Sequence, residues 1–243
     1  MSDLPKISPM GDRGILIKFE EKIEPELLER VLSLKKIIEN HLVKQKVEVT
    51  NTYNSLLISY MFTIKDIYDE ISALKKLLGD VKIPKISNTN LYYLPVCYET
   101  EFGLDLEIIS KENGLEIQEI IRLHTEPIYQ LYFLGFLPGF LYLGGLDKRL
   151  QISRKETPRR SVEKGSVGIG ENQTGIYPKT SPGGWQILGR CPVELFDKNS
   201  EEPSPFKAGD KIKFYSVSKA EYLEIERQIK TGNFQLKKEL YEG

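Results

Sequence analysis

Three arginines set the chemical possibilities of this chain: Arg159, Arg160 and Arg190. A guanidinium fork grips carboxylate, phosphate or carbonyl oxygen through parallel N–H donors. Gln173, Thr174, Tyr177 and Gln186 add neutral donors and acceptors close by in sequence, and Trp185 follows the pair Gly183–Gly184. An indole in that position either walls a pocket or fills a sheet. Together these residues predict a polar, concave site. The chain has two histidines, His41 and His124. A histidine-dependent triad would have to use His124, yet nothing places a nucleophile beside it. Near the end of a helical pattern, His124 reads as a capping or packed side chain and, alternatively, as an acid/base group. Asp147, Glu163 and Glu171 are further acid/base candidates, although isolated loop carboxylates are usually solvated.

Other chemistries are weaker. Gly165–Gly170, GSVGIG, looks like a phosphate loop. It lacks the lysine of a Walker loop, and no helix follows its glycines as a dinucleotide site requires. What remains is an anion nest of backbone N–H groups. No GxSxG, HExxH or paired-cysteine ligand set is present, so no metal site is expected. Cys97 and Cys191 stand far apart and read as reduced thiols of a cytoplasmic protein. The balance of 34 basic and 35 acidic residues argues against a nucleic-acid surface. No apolar run reaches membrane-spanning length, and the start MSDLPKISPM has no signal-peptide pattern.

The elements that must carry these groups divide into two parts, residues 1–88 and 89–243. In the first, Arg13–Phe19 alternates as a half-buried strand. Pro25 opens a helix whose apolar face is Leu27, Leu28, Val31, Leu34, Ile38 and Leu42. Val47–Val49 and Ser55–Tyr60 form a hairpin. Thr63 and Asp66 suggest a capping box before a second helix on Ile64, Ile67, Ile71, Leu74 and Leu78. With one more strand this is a split βαβ, ferredoxin-like layer of α+β class. Asp80–Asn90 reads as the junction, and Leu91–Tyr98 as a strand of either part.

The second part predicts two short helices, Leu104–Glu112 and Glu116–Thr125, then a central strand Ile128–Phe136. Phe140, Leu141 and Tyr142, in the connector Leu137–Leu146, are either tucked under the sheet or exposed for a partner. Beyond them, glycine and proline punctuate short strands such as Val167–Ile169, Gly175–Tyr177 and Trp185–Leu188, the pattern of a small closed sheet. A polar helix Ser218–Thr231 follows Lys211–Ser216, and the charged tail Asn233–Gly243 reads as loosely ordered.

The stretches FLGFLPGFLYLGGLD, TPRRSVEKGSVGIG, QTGIYP and SPGGWQILGR closely resemble the family that comprises the B subunit of 5-oxoprolinase, allophanate hydrolase subunit 1 and the KipI-type kinase inhibitors. The resemblance implies an α/β N-terminal domain followed by a cyclophilin-like β-barrel. It also implies partners: the C subunit of 5-oxoprolinase (KipA-like, or allophanate hydrolase subunit 2) and its A subunit. In fused relatives the joint unit is a carboxyltransferase-like part of urea carboxylase. In the 5-oxoprolinase case the complex opens the lactam of 5-oxoproline to glutamate with ATP as co-substrate, and this chain alone is expected to be inactive. His124, Arg159 and Arg190 would be catalytic. Gln173, Thr174, Tyr177, Gly183, Gly184, Trp185 and Gln186 would bind substrate, and Phe140, Leu141 and Tyr142 would meet a partner. The competing class is a regulator that binds a sensor histidine kinase and blocks its autophosphorylation. Prolyl isomerase activity would rest on fold likeness alone, which does not license it.

Overall fold

The computed structural model describes residues 5–20, 23–42, 46–79 and 89–241. Most of the expected junction, residues 80–88, lies outside the described residues. The chain divides into two compact units, Met1–Ser87 and Asn88–Gly243.

The first unit contains strands β1 (Lys6–Pro9), β2 (Gly14–Lys18), β3 (Val47–Asn51) and β4 (Ser55–Tyr60), with helices α1 (Pro25–His41) and α2 (Ile67–Gly79). Its sheet runs β1-β2-β4-β3, so β4 lies between β2 and β3 and is antiparallel to both. Proline starts α1, and Leu28, Val31, Leu34 and Ile38 bury its inner stripe; Val31, Leu34 and Ile38 pack in one core with Ile15, Ile17, Leu56 and Ile58. Two expectations change. The edge beside β2 is filled by β1, from the N-terminal side, and β5 (Thr89–Cys97) joins the second unit. The capping box does not form either. Asp66 itself caps α2, its Oδ1 accepting from the N–H groups of Tyr68 and Asp69 at 3.0 Å, while the Thr63 hydroxyl turns to Asp12.

In the second unit, β5 is followed by α3 (Leu106–Asn113), α4 (Ile117–Thr125), β6 (Tyr129–Leu134) and β7 (Leu141–Gly144). Then come β8 (Arg159–Val162), β9 (Ser166–Gly170), β10 (Gln173–Ile176), β11 (Ser181–Gly183), β12 (Gln186–Arg190), β13 (Lys211–Val217), α5 (Lys219–Lys230) and β14 (Lys238–Tyr241). The main sheet runs β12-β9-β10-β7-β6-β13-β5-β14, and a β12–β5 pairing closes the first seven strands into a barrel. The free edge of β5 is shared: Thr89–Tyr92 pair with β14, and Cys97 pairs with Arg190. The charged tail is therefore held as a strand, with Tyr93 donating to Glu239 at 2.6 Å. β8 and β11 form a separate two-stranded ribbon. Inside the barrel pack Leu94, Val96, Tyr129, Leu131, Leu143, Val167, Ile169, Ile176 and Phe214. The apolar connector is tucked in rather than offered outward: Phe140 and Leu141 are buried, Leu141 opens β7, and Phe136 is the exposed aromatic there at 63%.

The barrel seam leaves no room for a side chain at Gly189, where a Cβ would sit 2.5 Å from the Cys97 carbonyl and 2.9 Å from Val96 Cγ1. Gly189→Ala is expected to lower stability by about 1–3 kcal/mol in urea unfolding. Gly79→Ala, where a Cβ meets nothing within 4 Å, is the matched control and should not destabilise.

Candidate functional site

Alternation along β9 and β10 makes two different faces. Val167, Ile169 and Ile176 point into the barrel core, while Gly168, Gly170 and Gly175 leave the outer face bare. Trp185 occupies that bare floor. A Cβ on Gly168, Gly170 or Gly175 would meet its side chain at 3.2, 2.9 or 3.0 Å. Phe140 and Tyr142 stand edge-on to the indole, at 5.5 and 5.9 Å between centroids, and Tyr177 stands edge-on to Phe140 at 5.1 Å. With Val162 and Ile187 these rings form a second small core outside the barrel wall. Gly183 lies against Tyr177, since a Cβ there would be 2.4 Å from the phenol oxygen.

This aromatic core positions a charged cluster. Gly183 pairs with Arg159 across the β8–β11 ribbon, and the Lys155 N–H donates to Gly184 O at 2.7 Å. Asp105, the residue before α3, is fully buried and clamps β12: its N–H donates to Ile187 O at 2.9 Å, and its Oδ2 accepts from Ile187 N–H at 2.7 Å. Its Oδ1 meets Arg159 Nη2 at 2.6 Å and Lys155 Nζ at 3.4 Å. Gln186 donates through Nε2 to Ser153 O at 3.2 Å. Arg159 Nη1 and Gln186 Oε1 are both shielded from solvent without a partner. Tyr177, Gly183, Gly184, Trp185, Gln186 and Arg159 are thus brought into one neighbourhood. Asp105 and Lys155, which sequence reasoning did not single out, complete it.

The remaining candidates lie elsewhere. Arg190, at the far end of β12, pairs with Glu163 at 2.6 Å and lies over the Phe102 ring at 5.1 Å. Gln173 starts β10 half-buried, its Oε1 without a partner. Asp147 is held by Arg149, which pulls its carboxyl down to about 2, and Glu171 lies 3.8 Å from Arg154. Gly165–Gly170 is one turn residue, Gly165, followed by strand β9 itself, rather than a phosphate cradle; a Cβ at Gly165 would strike Cys191 O. Among the described residues no cluster of His, Cys, Asp and Glu could hold a metal ion, and no helix is long and apolar enough to cross a membrane.

Comparison with known proteins places this architecture. The family model described as the carboxyltransferase domain, subdomain C and D, matches residues 5–206. The 5-oxoprolinase B subunit of Bacillus subtilis is 36% identical over 227 residues, covering 89% of this chain and 95% of that protein. The chain belongs to the family of 5-oxoprolinase B subunits. A second relative with that name, from Haemophilus influenzae, is 42% identical over 69% of this chain and 78% of its own length. The solved K. lactis urea amidolyase shares the fold, with a TM-score of 0.83 at 22% identity; the match covers 99% of this chain and 17% of that one.

For this family member, the structure puts His124 and Thr174 inside the barrel, away from the charged cluster. His124 is wholly buried and stacks on Phe214 at 4.8 Å. The Thr174 hydroxyl donates to Gly168 O at 3.0 Å, so its oxygen accepts from His124 Nε2–H, also at 3.0 Å. His124 Nδ1 then accepts from the Tyr98 hydroxyl at 2.6 Å. Every partner is neutral, and burial pushes the imidazole pKa down to about 3. The ring serves as a neutral core link and does not reach solvent as an acid or base.

A folded pKa near 3 against an ordinary 6.5 fixes a sign. Below pH 6.5 the unfolded chain takes up a proton that the native state refuses, so stability falls with pH, by up to about 1.4 kcal/mol per unit from this group. Above that pH the effect vanishes. Urea unfolding between pH 7.5 and 5 should show the slope, and His124→Gln should remove this share of it.

Proposed function

We propose that this chain is the B subunit of an ATP-dependent 5-oxoprolinase, opening 5-oxo-L-proline to L-glutamate together with the A and C subunits. The observation that carries this is the end-to-end match to the Bacillus subtilis protein, 95% of whose length is covered. By contrast, the chain spans only 14% of the urea amidolyase of Saccharomyces cerevisiae. The chain is also more similar to the 5-oxoprolinase B subunits, at 36% and 42% identity, than to that protein, at 24%. In this reading the first unit is a split βαβ layer whose outer strand comes from the N-terminus, and the barrel is cyclophilin-like. The two buried thiols, Cys97 and Cys191, accord with a reducing cytoplasm.

The chemistry suits the charged cluster. A lactam is resonance-stabilised, and its opening needs fixed positive charge near oxygens that carry or gain negative charge. Arg159 supplies that charge on a guanidinium already aimed by Asp105. Gln186 and Tyr177 shape the surroundings, while Gln173 and Arg190 stand apart from the cluster. ATP is consumed by the assembled complex. The kinase-inhibitor alternative gains no support: of Phe140, Leu141 and Tyr142, which would meet a partner, the first two are buried and Tyr142 is half-buried.

Phosphate and glutamate should be released together only when this chain is mixed with its partner subunits and 5-oxo-L-proline. Arg159→Ala should lower kcat/KM by about a hundredfold in that mixture. No coupled release from folded, bound partners would sink the proposal.

A further inference from the structure

Two cations share one carboxylate. Asp105 Oδ1 is the ion-pair partner of both Arg159 and Lys155, whose side chains are only 23% and 25% exposed. Its Oδ2 is committed to the Ile187 N–H. The cluster therefore holds an excess positive charge, largely withdrawn from water, a costly state unless an anion completes it. The hydrogen-bond count points the same way. Arg159 Nη1 is shielded and has no acceptor, and native proteins rarely leave such a donor unmatched. One carboxylate would supply both the missing charge and the missing acceptor. Gln186 is adjacent: it precedes Ile187, which Asp105 clamps, and bonds Ser153, two residues before Lys155. It is 7% exposed and keeps Oε1 without a donor.

We infer that Lys155 is a substrate-binding residue and Asp105 a positioning residue, and that with Arg159 they build a subsite for a single carboxylate beside an amide-accepting Gln186. For the identity of the ligand this rests on the function proposed above, since 5-oxo-L-proline carries one carboxylate and one lactam N–H. Asp105 makes no contact with the ligand. It fixes the guanidinium through Nη2 and leaves Nη1 to the substrate. Lys155, at the longer distance, is the less firmly held cation and turns to the incoming carboxylate.

The test compares 5-oxo-L-proline with 2-pyrrolidinone, the same lactam without its carboxylate, in the reconstituted complex. Lys155→Ala and Asp105→Asn should each cut the selectivity for the carboxylated substrate about tenfold, chiefly through KM. Arg159→Lys should recover part of what Arg159→Ala loses. A folding defect would lower both rates together and keep their ratio, and an unchanged ratio in Lys155→Ala overturns the inference. If the wild-type complex opens neither lactam, the proposed function fails, and the subsite is decided on this chain alone. Trp185, its single tryptophan, then reports binding by fluorescence. Saturation by 5-oxo-L-proline but not 2-pyrrolidinone, weakened in Lys155→Ala, supports the subsite; no such response overturns it.

Discussion

The contact between an indole and three glycines governs the second unit. Trp185 can lie on the outer face of β9 and β10 only because Gly168, Gly170 and Gly175 bring no Cβ to it. Once the ring is down, Phe140 and Tyr142 close around its edges and Tyr177 packs on Phe140, and large aromatic areas leave water together. The chain on either side of the ring is then fixed. Gly183 sits on Tyr177, and Gln186 and Ile187 enter β12 where Asp105 can clamp Ile187. The charged cluster thus depends on an apolar packing event that carries no charge itself.

Two buried polar systems in this unit follow opposite electrostatic logic. His124 has neutral partners on every side, so desolvation prevails and the ring stays uncharged. Asp105 is as deeply buried but has two cations and a backbone donor, so its charge is matched and then exceeded. The first arrangement stiffens the barrel interior. The second leaves donors on the outside of the barrel wall with capacity to spare, where a ligand's oxygens would be useful.

Much of the scaffold was legible from local pattern. Pro25 with apolar steps of three and four marked α1, and the capping pair Ser218 and Glu221 lies at the start of the expected terminal helix. The misses have local causes. β1 is a four-residue KISP whose side chains are half exposed, so no alternation announces it. β14 hides in a tail whose charges suggested disorder, and it is ordered by pairing with β5, far away in sequence. Phe140 and Leu141 left two readings open, because apolar residues on a glycine-rich connector look alike whether they face a core or a partner.

Residue types and spacing alone determined the two-part organisation, the small closed sheet and the wording that marks the family, since these depend on periodicity and on short motifs. Arg159, Trp185 and Gln186 could be named from sequence, but their arrangement could not. Tertiary structure separated His124 and Thr174 from the arginine cluster by alternation across β10: Thr174 points inward while its neighbour Gly175 lies under Trp185. It also joined Asp105 to Arg159 across 54 positions of chain. A pairing at that range is set by which strand lies beside which loop when the barrel closes, and no local propensity encodes it.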